Sequence, residues 1–207
     1  MDSVADEKTS RRNGGILSNA SRLTITLHVV ASLDGFIAKR DNSVSWMDSS
    51  DVYEKGVTDD GVEVLQSIDC YVLGSRTYEH ALELGWPYGD TPVIVVTNRE
   101  LPSTSPSTKM TVEFYSGDLK RLVGEVLAPR YGNIWLVGGD LLGQSFLKLG
   151  LVDEIRLMVA PVALGDGLPL FGDSGIEQKW QLKNVVAYKN GLVDLSYSRR
   201  DIDDARK

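Results

Sequence analysis

A chain of 207 residues at 42% hydrophobic is long enough to bury one sizeable core or, at most, two small ones. Its net charge of −7 excludes a general nucleic-acid binder, whose electrostatic footprint is basic. A single cysteine, Cys70, and only two histidines, His28 and His80, argue against any dedicated metal site, and no nucleophile-elbow pattern supports a Ser-His-Asp triad.

Residues 1–21 are polar and lack periodicity, which reads as a disordered leader; residues 22–200 read as one folded domain and 201–207 as a short tail. No stretch approaches the uninterrupted apolar run of about 18 residues that a spanning helix needs, and no basic-then-apolar signal opens the chain. The expectation is a cytoplasmic protein without a membrane partner.

From Leu23 to Val30, apolar residues alternate with Thr and His, the pattern of a strand, which runs into Ala31-Ser32-Leu33-Asp34-Gly35-Phe36-Ile37-Ala38. Beyond Trp46, residues 52–66 read as a helix weakened by Gly56 and Gly61. Cys70 to Leu73 is a buried strand, where the thiol reads as inert, and it meets a strand-to-helix turn at Gly74-Ser75-Arg76-Thr77. Pro92 to Arg99 is a third strand ending in polar residues, and the Pro- and Ser-rich 101–108 is a loop. Thr111 to Tyr115 is a short strand, after which Asp118 caps an amphipathic helix carrying Leu119, Leu122, Val123, Val126 and Leu127.

The stretch Asn133 to Gln144 organises the rest. Four apolar residues, two glycines and a short acid opening an apolar-periodic segment predict a buried strand turning directly into a helix. Glycine admits close backbone approach, and the unpaired N–H groups of a first helical turn favour a phosphate. Val152 to Ala160 is a further strand. Trp180 to Tyr188 and Leu192 to Arg199 flank Asn190-Gly191, a strong hairpin signal. The count is eight strands with about four helices, parallel pairing first and an antiparallel hairpin last, in one α/β domain.

Three strands thus end in polar or glycine-rich turns: Gly74 to Thr77, Thr97 to Arg99 and Gly138 to Asp140. Ligands bind at the carboxyl ends of parallel strands in an open α/β sheet, so these turns are expected to converge on one crevice suited to a dinucleotide. The alternative is that Arg76 and Arg99 are ordinary solvated cations.

The order Ser32-Leu33-Asp34-Gly35-Phe36-Ile37-Ala38, Trp46, Leu73-Gly74-Ser75-Arg76-Thr77-Tyr78-Glu79, Val96-Thr97-Asn98-Arg99, Val137-Gly138-Gly139, Gly150-Leu151-Val152-Asp153-Glu154 and Ala160-Pro161-Val162 resembles the dihydrofolate reductase-like superfamily. Within it, the chain is similar to the RibD C-terminal domain branch, the reductase of bacterial riboflavin biosynthesis. The resemblance implies an NADPH-dependent oxidoreductase acting on a small planar heterocycle, similar to 5-amino-6-(5-phosphoribosylamino)uracil reductase, with a tendency to form homodimers. It assigns Gly74, Ser75, Arg76 and Thr77 to the pyrophosphate, and Thr97, Asn98 and Arg99 to the ribose with its 2′-phosphate. Val137, Gly138, Gly139, Asp140, Leu141 and Leu142 would border the cofactor, the two glycines joined by a cis peptide. Val30, Ile37 and Ala38 would line the nicotinamide carboxamide, with Ser32 and Trp46 on the substrate side.

Departures narrow the expectation. Asp90-Thr91-Pro92 stands where dihydrofolate reductases carry an arginine for the substrate glutamate, which argues against folate, and Leu84-Gly85-Trp86-Pro87 replaces the paired aspartates of the riboflavin enzymes. Asp140 follows the two glycines where a third is usual, and reads as a helix N-cap or as a carboxylate facing phosphate. For the proton of a C=N reduction, Asp34 and Asp51 are the candidates, against readings as a turn residue and a helix cap. The competing function is a nucleotide-binding or scaffolding protein without turnover.

Overall fold

The computed structural model describes residues 23–47, 67–101, 111–172, 177–188 and 190–200. The expected leader, tail and helix at 52–66, and with them Asp51, lie outside the described residues.

Among the described residues ten strands form: β1 (Thr24–Ser32), β2 (Phe36–Ala38), β3 (Cys70–Gly74), β4 (Val93–Val96), β5 (Val112–Tyr115), β6 (Asn133–Gly138), β7 (Glu154–Ala160), β8 (Leu168–Pro169), β9 (Trp180–Ala187) and β10 (Val193–Arg199). Eight of them make one sheet in the order β5-β4-β3-β6-β1-β7-β10-β9. Pairing is parallel from β5 to β7 and antiparallel where β10 joins β7 and β9. This is the mostly parallel α/β sheet with a C-terminal antiparallel hairpin that the patterning predicts. The two extra strands, β2 and β8, pair only with each other. They are too short for periodicity to register.

Three helices are described: α1 (Ser75–Glu83), α2 (Leu119–Arg121, continued by a π-helical stretch Leu122–Leu127) and α3 (Asp140–Lys148), with a 3-10 turn at Ser45–Met47. The Asp118 side chain accepts from the Arg121 N–H at 2.9 Å, the cap expected of it. Both sheet faces are buried around the central strands, which is why these read as continuous apolar runs. One face packs Ile25, Leu27, Val72, Ile94, Ile134 and Leu136 against Leu122, Leu127 and Phe146 of α2 and α3. The other packs Tyr71, Leu73, Val93, Val95 and Trp135 against Tyr78 of α1. Cys70 is fully buried, and burial pushes its thiol up to about 12, so it is inert as expected.

Among the described residues no helix is long and apolar enough to cross a membrane.

Candidate functional site

α1 leaves β3 and α3 leaves β6 on opposite faces of two adjacent parallel strands. The crevice of an open α/β sheet lies at such a point. The turns pack on each other: a side chain on Gly139 would begin 3.6 Å from Thr77 Oγ1 and 3.9 Å from Gly74 Cα, and one on Gly74 would begin 3.6 Å from the Gly138 carbonyl. Neither helix has a side-chain cap, since Gly74 and Gly139 hold the N-cap positions. Both helix starts line the crevice, with no cap side chain among the described residues.

The resulting cleft, about 630 Å³, is lined by Gly74, Ser75 and Arg76, by Thr97, Asn98 and Arg99, and by Gly139, Asp140, Leu141 and Leu142. All three expected turns meet there. Val96, Gly117, Leu119 and Ser145 complete the lining and were not anticipated. Gly117 follows β5, a fourth parallel strand, so the carboxyl-end rule that selected the other turns applied to it too. Val30, Ser32, Ile37, Ala38, Trp46, Thr77, Val137 and Gly138 do not line the cleft; Thr77 and Gly138 lie beneath its glycine contacts.

The Thr97–Arg99 turn is braced: Thr97 Oγ1 accepts from the Arg99 N–H at 2.9 Å, and Asn98 Oδ1 accepts from Ser116 Oγ, beyond β5, at 2.7 Å. Arg76 donates to Asn42 Oδ1 at 3.0 Å. Arg99 is about half exposed and paired. Its guanidinium donates to both Glu79 oxygens, at 3.0 and 2.8 Å, and approaches Ser75 Oγ at 3.5 Å. Glu79 lies one helical turn beyond the end of β3 and is brought to Arg99 by α1.

Two other expectations change. Asp140 is the first residue of α3 rather than its cap, because Gly139, at φ 93°, takes the cap position. Its carboxylate stands on the cleft wall, in a first turn where the helix dipole favours an acid. The Gly138–Gly139 peptide is trans, and both glycines sit at positive φ, 108° and 93°.

Asp34 turns out to be a loop clamp. It accepts from Ser32 Oγ at 2.6 Å, from the Leu164 N–H at 3.1 Å and from the Gly165 N–H at 2.6 Å. The Ser32 hydroxyl above all, with the two N–H groups, holds its carboxyl down at about 2, so it stays charged near neutral pH. Ser32 is itself used up in the turn, since its Oγ also accepts from the Phe36 N–H at 3.0 Å. Trp46 is partly buried, with its Nε1 enclosed and lacking a partner among the described residues.

Residues 23–193 match the family model of the RibD C-terminal domain. The chain belongs to that family. Two relatives from Bacillus subtilis (strain 168), the uncharacterized proteins YwjB and YyaP, are 34% and 30% identical to it. YwjB matches over 84% of this chain and 96% of its own, YyaP over 87% and 97%. Among solved structures, a protein of Shewanella sp. PV-4 named for riboflavin biosynthesis superposes with a TM-score of 0.74 at 27% identity, covering 86% of this chain and all (100%) of that one. The deaminase/5-amino-6-(5-phosphoribosylamino)uracil reductase of Thermotoga maritima gives 0.65 at 13% identity, over 86% of this chain and 57% of that one. Enterococcus faecalis dihydrofolate reductase, solved with NADP(H), gives 0.55 at 14%, over 86% and 97%. These last two establish the fold alone: this RibD C-terminal domain has the dihydrofolate reductase-like architecture. Membership of the family supports a reductase-like role.

Proposed function

We propose that the chain is an NADPH-dependent reductase that transfers a hydride to a small planar heterocycle of pyrimidine, pterin or flavin-precursor type. The observation that carries this reading is the convergence of the β3, β4 and β6 turns on one cleft containing two helix starts without side-chain caps and the Arg99 guanidinium. Such a set fits an extended ligand with several phosphates. The first-turn N–H groups of α1 and α3 would take the pyrophosphate, and Arg99 and Arg76 the phosphorylated ribose. NADPH supplies the hydride when bound, and the glycine turns let it lie close against the sheet. The Ser32, Leu164 and Gly165 donors favour the ionised form of Asp34, which makes it the weaker proton source of the two acids the sequence nominates and favours Asp51. The chain would act as a homodimer, using the exposed Leu182 and Val185 of the edge strand β9.

Asp140 on the cleft wall and the clamped Asp34 favour one second reading, a nucleotide-binding or scaffolding protein that keeps the fold without turnover. NADPH oxidation measured against a panel of pterins, flavins and pyrimidines separates the two. Turnover with any of them supports the reductase, and binding of NADPH with no oxidation across the panel supports the second reading.

A further inference from the structure

The fork of Arg99 is already occupied. Its two terminal nitrogens meet the two oxygens of Glu79 in parallel, the geometry in which a guanidinium also takes a phosphate. Glu79 stands four residues after Ser75, on the same face of α1 one turn up, so the helix that offers its N-terminus to the cleft also carries the acid that neutralises the cleft's arginine. Both side chains are about half exposed, 55% for Arg99 and 41% for Glu79. Exposed pairs of this kind contribute little to stability, so the pair opens at small cost when a stronger anion arrives.

We propose that Glu79 is a built-in competitor for the 2′-phosphate of the cofactor: it holds the Arg99 fork until a phosphorylated ribose displaces it, and so sets how strongly the cleft favours NADPH over NADH. This rests on the reading of the cleft as a dinucleotide site. A 2′-phosphate is a dianion and takes the fork from a monoanionic carboxylate, but it must displace that carboxylate and tolerate it nearby. An unphosphorylated ribose leaves the pair intact and needs no exchange. Glu79 therefore lowers the affinity for 2′-phosphorylated ligands selectively.

The test uses the full chain and two ligand halves that differ only in this group, 2′,5′-ADP and 5′-AMP, titrated calorimetrically into wild type, Glu79→Gln and Glu79→Ala at low ionic strength. Both variants should bind 2′,5′-ADP about two- to fivefold more tightly than wild type, the scale of one exposed charge pair, with 5′-AMP changed by less than about 1.5-fold. Unchanged or weaker 2′,5′-ADP binding in both variants, or equal tightening of 5′-AMP, overturns the proposal while the dinucleotide reading stands. Failure of wild type and both variants to bind either nucleotide overturns the dinucleotide reading and the proposal with it.

Discussion

Gly139 and Gly74, from turns far apart in sequence, approach so closely that a side chain on Gly139 would begin 3.9 Å from the Gly74 Cα. That distance is ordinary contact, so space alone does not demand glycine. The backbone does: at φ 93°, Gly139 occupies a region that L side chains rarely enter. Gly139→Ala should therefore cost about 1–2 kcal/mol and lower the melting temperature by roughly 2–8 °C. The larger effect falls on binding, because relaxing φ shifts the α3 start, and NADPH affinity should drop at least tenfold. A thermal melt and a cofactor titration on the same variant check both, and unchanged affinity would separate this turn from the cofactor.

Asp34 should behave as a structural residue. Removing its charge in Asp34→Asn weakens the clamp on the Leu164 and Gly165 N–H groups and should lower the melting temperature. With a competent substrate, the pH profile of turnover should keep its shape. Because the folded carboxyl sits at about 2 against an ordinary 3.8, its contribution to stability is fully present above about pH 4 and is lost as pH falls toward 2. A displaced acidic limb in the kinetic profile of Asp34→Asn would restore it as the proton relay.

His28 should steepen the loss of stability in acid. Burial, seconded by the Arg156 charge, drives its pKa from 6.5 to about 3, and Trp135 packs edge-on against the ring at 4.3 Å. Between those two values the unfolded chain binds a proton that the folded one refuses, so stability falls as pH drops from about 6.5 toward 3, by at most about 1.4 kcal/mol per pH unit. Urea melts of wild type and His28→Gln from pH 7 to 4 should show a flatter dependence for the variant. Parallel curves would mean that His28 is protonated in the native state.

The sheet was legible in the sequence because its central strands are buried on both faces and show as unbroken apolar runs, as at Cys70 to Leu73 and Ile134 to Val137. The turns were legible because glycine and polar residues follow those runs directly. The β2–β8 pairing was not, since it rests on a few residues and on close backbone approach, with a side chain on Gly167 having no room beside the Ala38 carbonyl. Glu79 was hidden for another reason: its partner Arg99 is 20 residues away, and only the folding of α1 against β4 joins them. Asp34 showed its Asp-Gly turn chemistry, but not the Leu164 and Gly165 donors that fix its charge.

A fluorescence titration of the full chain with NADPH and with NADH tests the dinucleotide cleft most directly. With Arg99 and Arg76 lining it, each charge-assisted contact to a 2′-phosphate should contribute about 1.5–3 kcal/mol, offset in part by release of Glu79. Saturable binding of NADPH at least tenfold tighter than NADH, with the difference largely erased in Arg99→Ala while NADH affinity is unchanged, is the predicted result. Equal affinities for the two, or no binding of either, would contradict it.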